Sequence, residues 1–302
     1  MTRVTPATLN SGVMAGLQSS LSRLQQTQEQ LSSGRRLSRP SDSPVDTVAA
    51  MQLRAERKQS DQLARNIDDG MAWLNTSDQA LSQTNTVLTR IRSLVLAGSN
   101  STNGPDERRA MATEVDQLRE AVLGMANTQY LGRPVFAGTQ DTATAFDPAT
   151  GAYSGNTATV KRTVSPDSGS GTLAVSVTGD QAFTTLLHDP SAAGGAGVLE
   201  RISNALRSGD PTAMDAALDD LDTASEALRS TQTTVGARTN RLLTVQANGE
   251  VRSDAVAAKL ASVEGIDLAK TITDLTLQQT AYQAALGAAA KVVQPSLMDF
   301  LR

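Results

Sequence analysis

Cysteine is absent from this chain of 302 residues. That excludes disulfides, thiolate metal sites and a cysteine nucleophile. Histidine occurs once, at His188, so a histidine triad or metal cluster has one His to draw on at most. Aromatic residues make up only 3%, little for a globular enzyme core. No run of about eighteen apolar residues occurs, so no membrane-spanning helix is expected. The start, MTRVTPATLN, has no apolar core of signal-peptide length. Net charge is −4, and nothing global points to nucleic acid or to an anionic membrane; with no long apolar run, no membrane insertion is expected. Phosphate chemistry finds little support: Gly194-Gly195-Ala196-Gly197 lacks the Lys-Ser/Thr of a P-loop and the preceding strand of a dinucleotide fold. Asp141, Asp147, Asp167, Asp180 and Asp189 show no spacing that implies shared chemistry. No catalytic residue, cofactor or metal site is expected.

What remains is Ala, Leu, Ser, Thr and Gln, the composition of long helices packed through small contacts. The segment from Asp267 onward carries Leu268, Ile272, Leu275, Gln279, Tyr282, Leu286, Ala289 and Val293 in alternating steps of four and three. That is a heptad seam, built to lie along another helix. Between Leu275 and Met298 the one charged side chain is Lys291. A helix so bare on all sides is usually enclosed by protein. The matching seam lies near the start, at Met14, Leu17, Leu21, Leu24, Gln28 and Leu31, and it too has one Gln at a core position. The candidate assembly interface is therefore Met14, Leu17, Leu21, Leu24 and Leu31 with Leu268, Ile272, Leu275, Tyr282, Leu286 and Val293.

Gly34 reads as a helix C′ residue. Pro40 and Pro44 make 34–44 a linker, and its three Arg read as a solvated loop or an interface with acidic neighbours. From Val45 to Gly98 no Pro occurs. Ile67, Leu74, Leu81, Leu88 and Val95 fall every seventh residue, predicting one long helix with a kink near Asp68-Asp69-Gly70. Ser99 to Gly104 is a turn, and Pro105 opens a helix on Met111, Val115, Leu118, Val122 and Met125. Pro and Gly then accumulate over 132–197, with strand-like runs at 157–164 and 172–178 around a turn at 166–171. Helices resume at Val198 and at Asp210-Pro211. The second rides on Met214, Leu221, Leu228, Val235 and Leu242 and reaches as far as Val263, where Glu264 to Asp267 interrupts it.

The expected plan is mainly α: a nested bundle of long helices, a terminal coiled-coil pair plus an inner helical domain, with a small β-rich insert. The segments are 1–44 (N-terminal helix and linker), 45–131 and 198–263 (inner helical domain), 132–197 (insert) and 264–302 (C-terminal helix).

Leu31-Ser32-Ser33-Gly34 with Asp42, Arg65 to Gly70, Ala80-Leu81 to Arg90-Ile91-Arg92, Asn127 to Gly132, and Asp267 to Ala281 together resemble the flagellin superfamily. Pro134-Val-Phe-Ala-Gly-Thr139, Tyr153-Ser-Gly-Asn156 and the ending Pro295 to Leu301 resemble its hook–filament junction branch. The resemblance implies a flagellin-like fold and a structural, non-catalytic role on the filament side of that junction. Implied partners are other copies of the chain in a ring, hook-associated protein 1, flagellin and a flagellar export chaperone. The implied location is the extracellular flagellum, reached by the flagellar type III route without a cleaved signal. The termini are expected to order on assembly. The alternatives are a short flagellin that forms the filament itself, or a coiled-coil adaptor or export chaperone.

Overall fold

The computed structural model describes residues 6–100, 103–166 and 171–293. Seven α-helices and two small antiparallel sheets occur among the described residues. Helix α1 spans Pro6–Ser33, and Gly34 ends it in the left-handed region at φ 67°, where no Cβ penalty applies. Helix α2 covers Pro44–Ser99 and starts on a proline that needs no hydrogen-bond partner there. It runs unbroken through the expected kink at Asp68–Gly70. Gly70 serves packing instead: a Cβ there would come within 2.8 Å of Val175 Cγ1. Helix α3, Pro105–Ala126, carries Asp106 and Glu107 in its first turn, at the positive end of its dipole.

The chain divides into two compact units. One combines residues up to Lys58 with those from Ser253 on; the other is Gln59–Arg252. The second holds the larger core. On α2, Ile67, Leu74, Leu81, Leu88 and Val95 are all buried, as are Met214, Leu221, Leu228, Val235 and Leu242 on α6, Pro211–Glu264. A strict seven-residue repeat keeps one stripe turned inward over many turns, which is why both helices stay regular over such length. Val115 and Val122 of α3 complete the stripe from a third side. Asp210 accepts from the Thr212 N–H at 3.0 Å and so caps α6.

The block after α3 is less strand-like than expected. β1 (Gln129–Tyr130) pairs with β2 (Arg133–Pro134), and β3 (Lys161–Thr163) with β4 (Thr172–Ala174). The turn residues 167–170 and the ending 295–301 lie outside the described residues. Helix α4 occupies Gly179–Leu187, just after the second strand-like run, so the β-rich insert also holds a helix that the sequence reading did not include. Ala182, Phe183, Leu186 and Leu187 recur at helical spacing and are all buried, so the helical period wins there. Phe183 stacks edge-on against Phe136 and Phe146, with ring centroids 5.0 and 5.9 Å away. Three of the chain's four phenylalanines are thus spent on this one cluster. Helix α5, Val198–Ser208, ends on Gly209 at φ 69° and packs on α3, where Ser203 donates to the Ala112 carbonyl at 3.4 Å. His188 ends α4, its backbone N–H donating to the Thr184 carbonyl at 2.8 Å.

Candidate assembly interface

The first unit is built around α1 and α7, Leu268–Val293. Asp267 caps α7 by accepting from the Lys270 N–H at 3.1 Å. The two helices run antiparallel. Arg35 and Gly265 form an antiparallel bridge, and Thr27 Oγ1, almost fully buried, donates to Gln278 Oε1 at 2.9 Å. Stepping away from that pair in opposite directions brings Leu24 level with Tyr282, Leu31 with Leu275, Ser20 with Ala285 and Leu17 with Ala289. All of these are half-buried or buried.

The candidate residues fall into two rows. Leu17, Leu24, Leu31, Leu275 and Tyr282 belong to the row between the helices. Met14, Leu21, Ile272 and Leu286 do not: they remain 56%, 39%, 45% and 44% exposed. Leu268, at the first residue of α7, is 57% exposed. The side chain of Val293 lies outside the described residues. The inward positions that the apolar pattern missed are Val13, Ser20, Thr27, Gln278 and Ala285. Their seven-residue spacing was visible, but most are polar or small and do not register in an apolar count.

The outer row has a definite geometry. On α1 it sits one residue after Val13, Ser20 and Thr27; on α7, one residue after Thr271, Gln278 and Ala285. One residue is a turn of about 100°. Because the helices run in opposite directions, equal turns from facing sides bring both rows to the same side of the pair. Down that side the levels alternate: Met14, Leu286, Leu21, Gln279, Gln28, Ile272. The pair therefore closes on itself along one seam and leaves a ladder of apolar side chains open beside it, interrupted by two glutamines.

The linker is clasped rather than free. Arg36 donates its backbone N–H to the Glu264 carbonyl at 2.7 Å. Its guanidinium reaches Asp46 at 2.7 Å and the Val263 carbonyl at 3.0 Å. Buried Glu264 meets Arg54 at 2.7 Å and Arg35 at 3.9 Å. The hydrogen bond from Arg36 holds the Asp46 carboxyl below its ordinary range. The Arg39 backbone N–H does the same for Asp42. Arg39 faces Glu29 at 3.6 Å. The acidic neighbours of the linker arginines are thus supplied by this chain itself.

In the second unit, the two segments after α3 that resemble the hook–filament junction branch fold against each other. Tyr153 donates its hydroxyl to the Phe136 and Asn156 carbonyls at 3.0 and 2.8 Å. Burial pushes that hydroxyl up to about 12. Asn156 Oδ1 accepts from the Thr139 N–H at 3.0 Å, and the Asn156 N–H donates to the Ala137 carbonyl at 3.1 Å. Gly138, at φ 70°, lies where a Cβ would strike Asn156. Among the described residues no cluster of acidic or histidine side chains could hold a metal ion, and no helix is long and apolar enough to cross a membrane.

Comparison with known proteins agrees with this architecture. Residues 7–141 match the bacterial flagellin N-terminal helical region, and residues 218–301 the bacterial flagellin C-terminal helical region. The chain is similar to flagellar hook-associated protein 3 of Escherichia coli K12, 26% identical over 292 residues, covering 90% of this chain and 91% of that protein. It is also similar to a flagellin of Halalkalibacterium halodurans, 26% identical over 270 residues, covering 89% and 88%. Among solved structures, FlgL of Bacillus cereus superposes with a TM-score of 0.59 at 20% identity, over 70% of this chain and 99% of that one. The flagellar junction protein FlgL of Legionella pneumophila superposes at 0.55 and 18% identity, over 72% and 99%. With both terminal helical regions matched and the same fold between them, the chain belongs to the flagellin superfamily.

Proposed function

We propose that this chain is a structural subunit of the bacterial flagellum, placed on the filament side of the hook–filament junction. The observation that carries the junction role over that of a filament subunit is the paired unit of Pro134–Thr139 with Tyr153–Asn156. These are the segments that resemble the junction branch, and their hydrogen bonds make them one structural element. Likeness to hook-associated protein 3 along nearly the whole of both chains supports the same role.

The open ladder of α1 and α7 supports assembly through the arms 1–44 and 264–302. Apolar side chains at this exposure gain by burial against a further helix pair. In this role the partners are neighbouring copies in a ring, hook-associated protein 1 on one side and flagellin on the other, with an export chaperone before assembly. Export by the flagellar route without a cleaved signal belongs to the same proposal.

Electron microscopy of cells lacking this chain tests it. Bare hooks and flagellin shed into the medium are expected. Motile cells with attached filaments would overturn the junction role. The flagellin relative of nearly equal length favours a second reading, a short flagellin. Growth of long filaments from the purified chain alone would select it.

A further inference from the structure

Each terminal helix carries a second seam. On α1, Leu17, Leu24 and Leu31 meet α7 together with Val13, Ser20 and Thr27. The same leucines alternate just as regularly, in steps of three and four, with Met14, Leu21 and Gln28 on their other side. On α7, Leu275, Tyr282 and Ala289 stand likewise between two rows. Thr271, Gln278 and Ala285 are half-buried; Ile272, Gln279 and Leu286 are exposed. The seam in use is the less apolar one. Beyond the shared residues it takes in Val13 and Ala285 beside the polar Ser20, Thr27, Thr271 and Gln278. The unused seam would take in Met14, Leu21, Ile272 and Leu286 beside two glutamines. Burial of apolar surface favours the second.

Polar contacts hold the pair where it is. Thr27 and Gln278 hydrogen-bond across the seam at 2.9 Å. The bridge between Arg35 and Gly265, and the Arg36 N–H on the Glu264 carbonyl, tie the end of α1 to the segment leading into α7. The unused seam has a polar layer of its own. With Thr27 level with Gln278, Gln28 and Gln279 lie one residue on in opposite directions, about 3 Å apart along the axes at ~1.5 Å per residue. Two facing amides each offer donors and an acceptor, so this layer can satisfy itself. No charged side chain stands at any of these positions on either helix, so exchanging the seams desolvates no charge.

We propose that the α1–α7 pair has two settings. In the open one, which the structure shows, the ladder faces outward. In the closed one each helix is turned on its own axis by about 50°, half the step between neighbouring residues. The shared row stays inside, and the outer row of α1 is covered by the outer row of α7. Both outer rows lie on the same side of the pair, so the helices turn as meshed gears do. Packed helix interfaces switch between discrete arrangements of this kind. Closing hides the apolar surface of an unassembled chain, and neighbouring helices draw it out by covering it more fully. That role rests on the reading that the ladder meets neighbouring copies.

The absence of cysteine allows a direct test on the purified full chain. A disulfide needs Cβ atoms about 3.5–4.5 Å apart. S20C/A285C places both thiols in the open seam, and L21C/L286C places them in the closed one. S22C/A284C, exposed and turned away from the partner helix in both settings, is the control. In a glutathione buffer the first two should each close within one chain, read on a non-reducing gel and by peptide mass spectrometry, while the control stays reduced. An L21C/L286C chain that remains reduced would overturn the proposal. So would closure of all three at similar rates, which marks arms without a fixed pairing. A second variant weighs the balance between settings. T27V/Q278L replaces the polar layer of the open seam with apolar contact, so the closed population falls and the L21C/L286C disulfide should form about tenfold more slowly. An unchanged rate would rule out exchange between the seams. Neither result touches the junction role, which falls instead on motile, filament-bearing cells without the chain.

Discussion

Leu286→Asp separates the single chain from the assembly. Fully burying a leucine side chain is worth about 2 kcal/mol. Leu286 keeps 44% of its surface exposed, so about 1 kcal/mol remains for a neighbouring copy to realise. Met14, Leu21 and Ile272 stand similarly exposed. The ladder then holds about 4 kcal/mol for each seam closed, roughly a thousandfold in association. An aspartate at an exposed position changes the single chain by about 0.5 kcal/mol or less. Buried in an assembled seam without a partner, it costs several kcal/mol. Assembly should weaken at least about a hundredfold, read by pelleting and by filament attachment. Trp73, the chain's one tryptophan, is buried in the unit 59–252. Its fluorescence melt should not move. Leu275→Asp, in the row facing α1, should also block assembly and also leave the Trp73 melt unchanged, while loosening the α1–α7 pair itself. Normal assembly of L286D, or a drop in its Trp73 melt, would refute the two-row assignment.

Gly70→Ala should destabilise the second unit by about 1–3 kcal/mol through overpacking against Val175, outweighing the gain in helix propensity; denaturant unfolding followed at Trp73 measures it. Tyr153→Phe leaves the Asn156 carbonyl without the hydroxyl donor, while the Phe136 carbonyl keeps the Gly179 N–H at 2.9 Å, and should lose about 1–3 kcal/mol in the same assay. With the hydroxyl of Tyr153 raised from 10.0 to about 12, the folded state favours the neutral form. Stability should therefore decline as pH rises above the unfolded value, through pH 10 to 12, and Tyr153→Phe should flatten that decline. Asp42 and Asp46 are held below 3.8. Their contribution is complete above the unfolded value and lost as pH falls through the folded one, so amide exchange at residues 36–46 should quicken below about pH 4, ahead of the second unit.

The long seams of α2 and α6 were legible in the sequence because a seven-residue apolar repeat has one way to stay buried along a helix. The caps at Gly34, Asp210 and Asp267 were equally plain, since their chemistry is local. The α4 helix was less legible: its period spans only Gly179–Leu187, and Pro and Gly around it signalled loop. At the terminal arms the sequence determined that both are bare, heptad-patterned helices in need of a partner. It could not divide their apolar residues between rows. That division depends on which face of each helix turns toward the other, and polar Thr27 and Gln278 set it by hydrogen-bonding across the seam. Likewise the sequence contained Leu131-Gly132, but only the pairing of β1 with β2 forces Leu131 to positive φ and into solvent. Periodicity follows from chain-local geometry; registry and exposure follow from contacts between residues far apart in the chain.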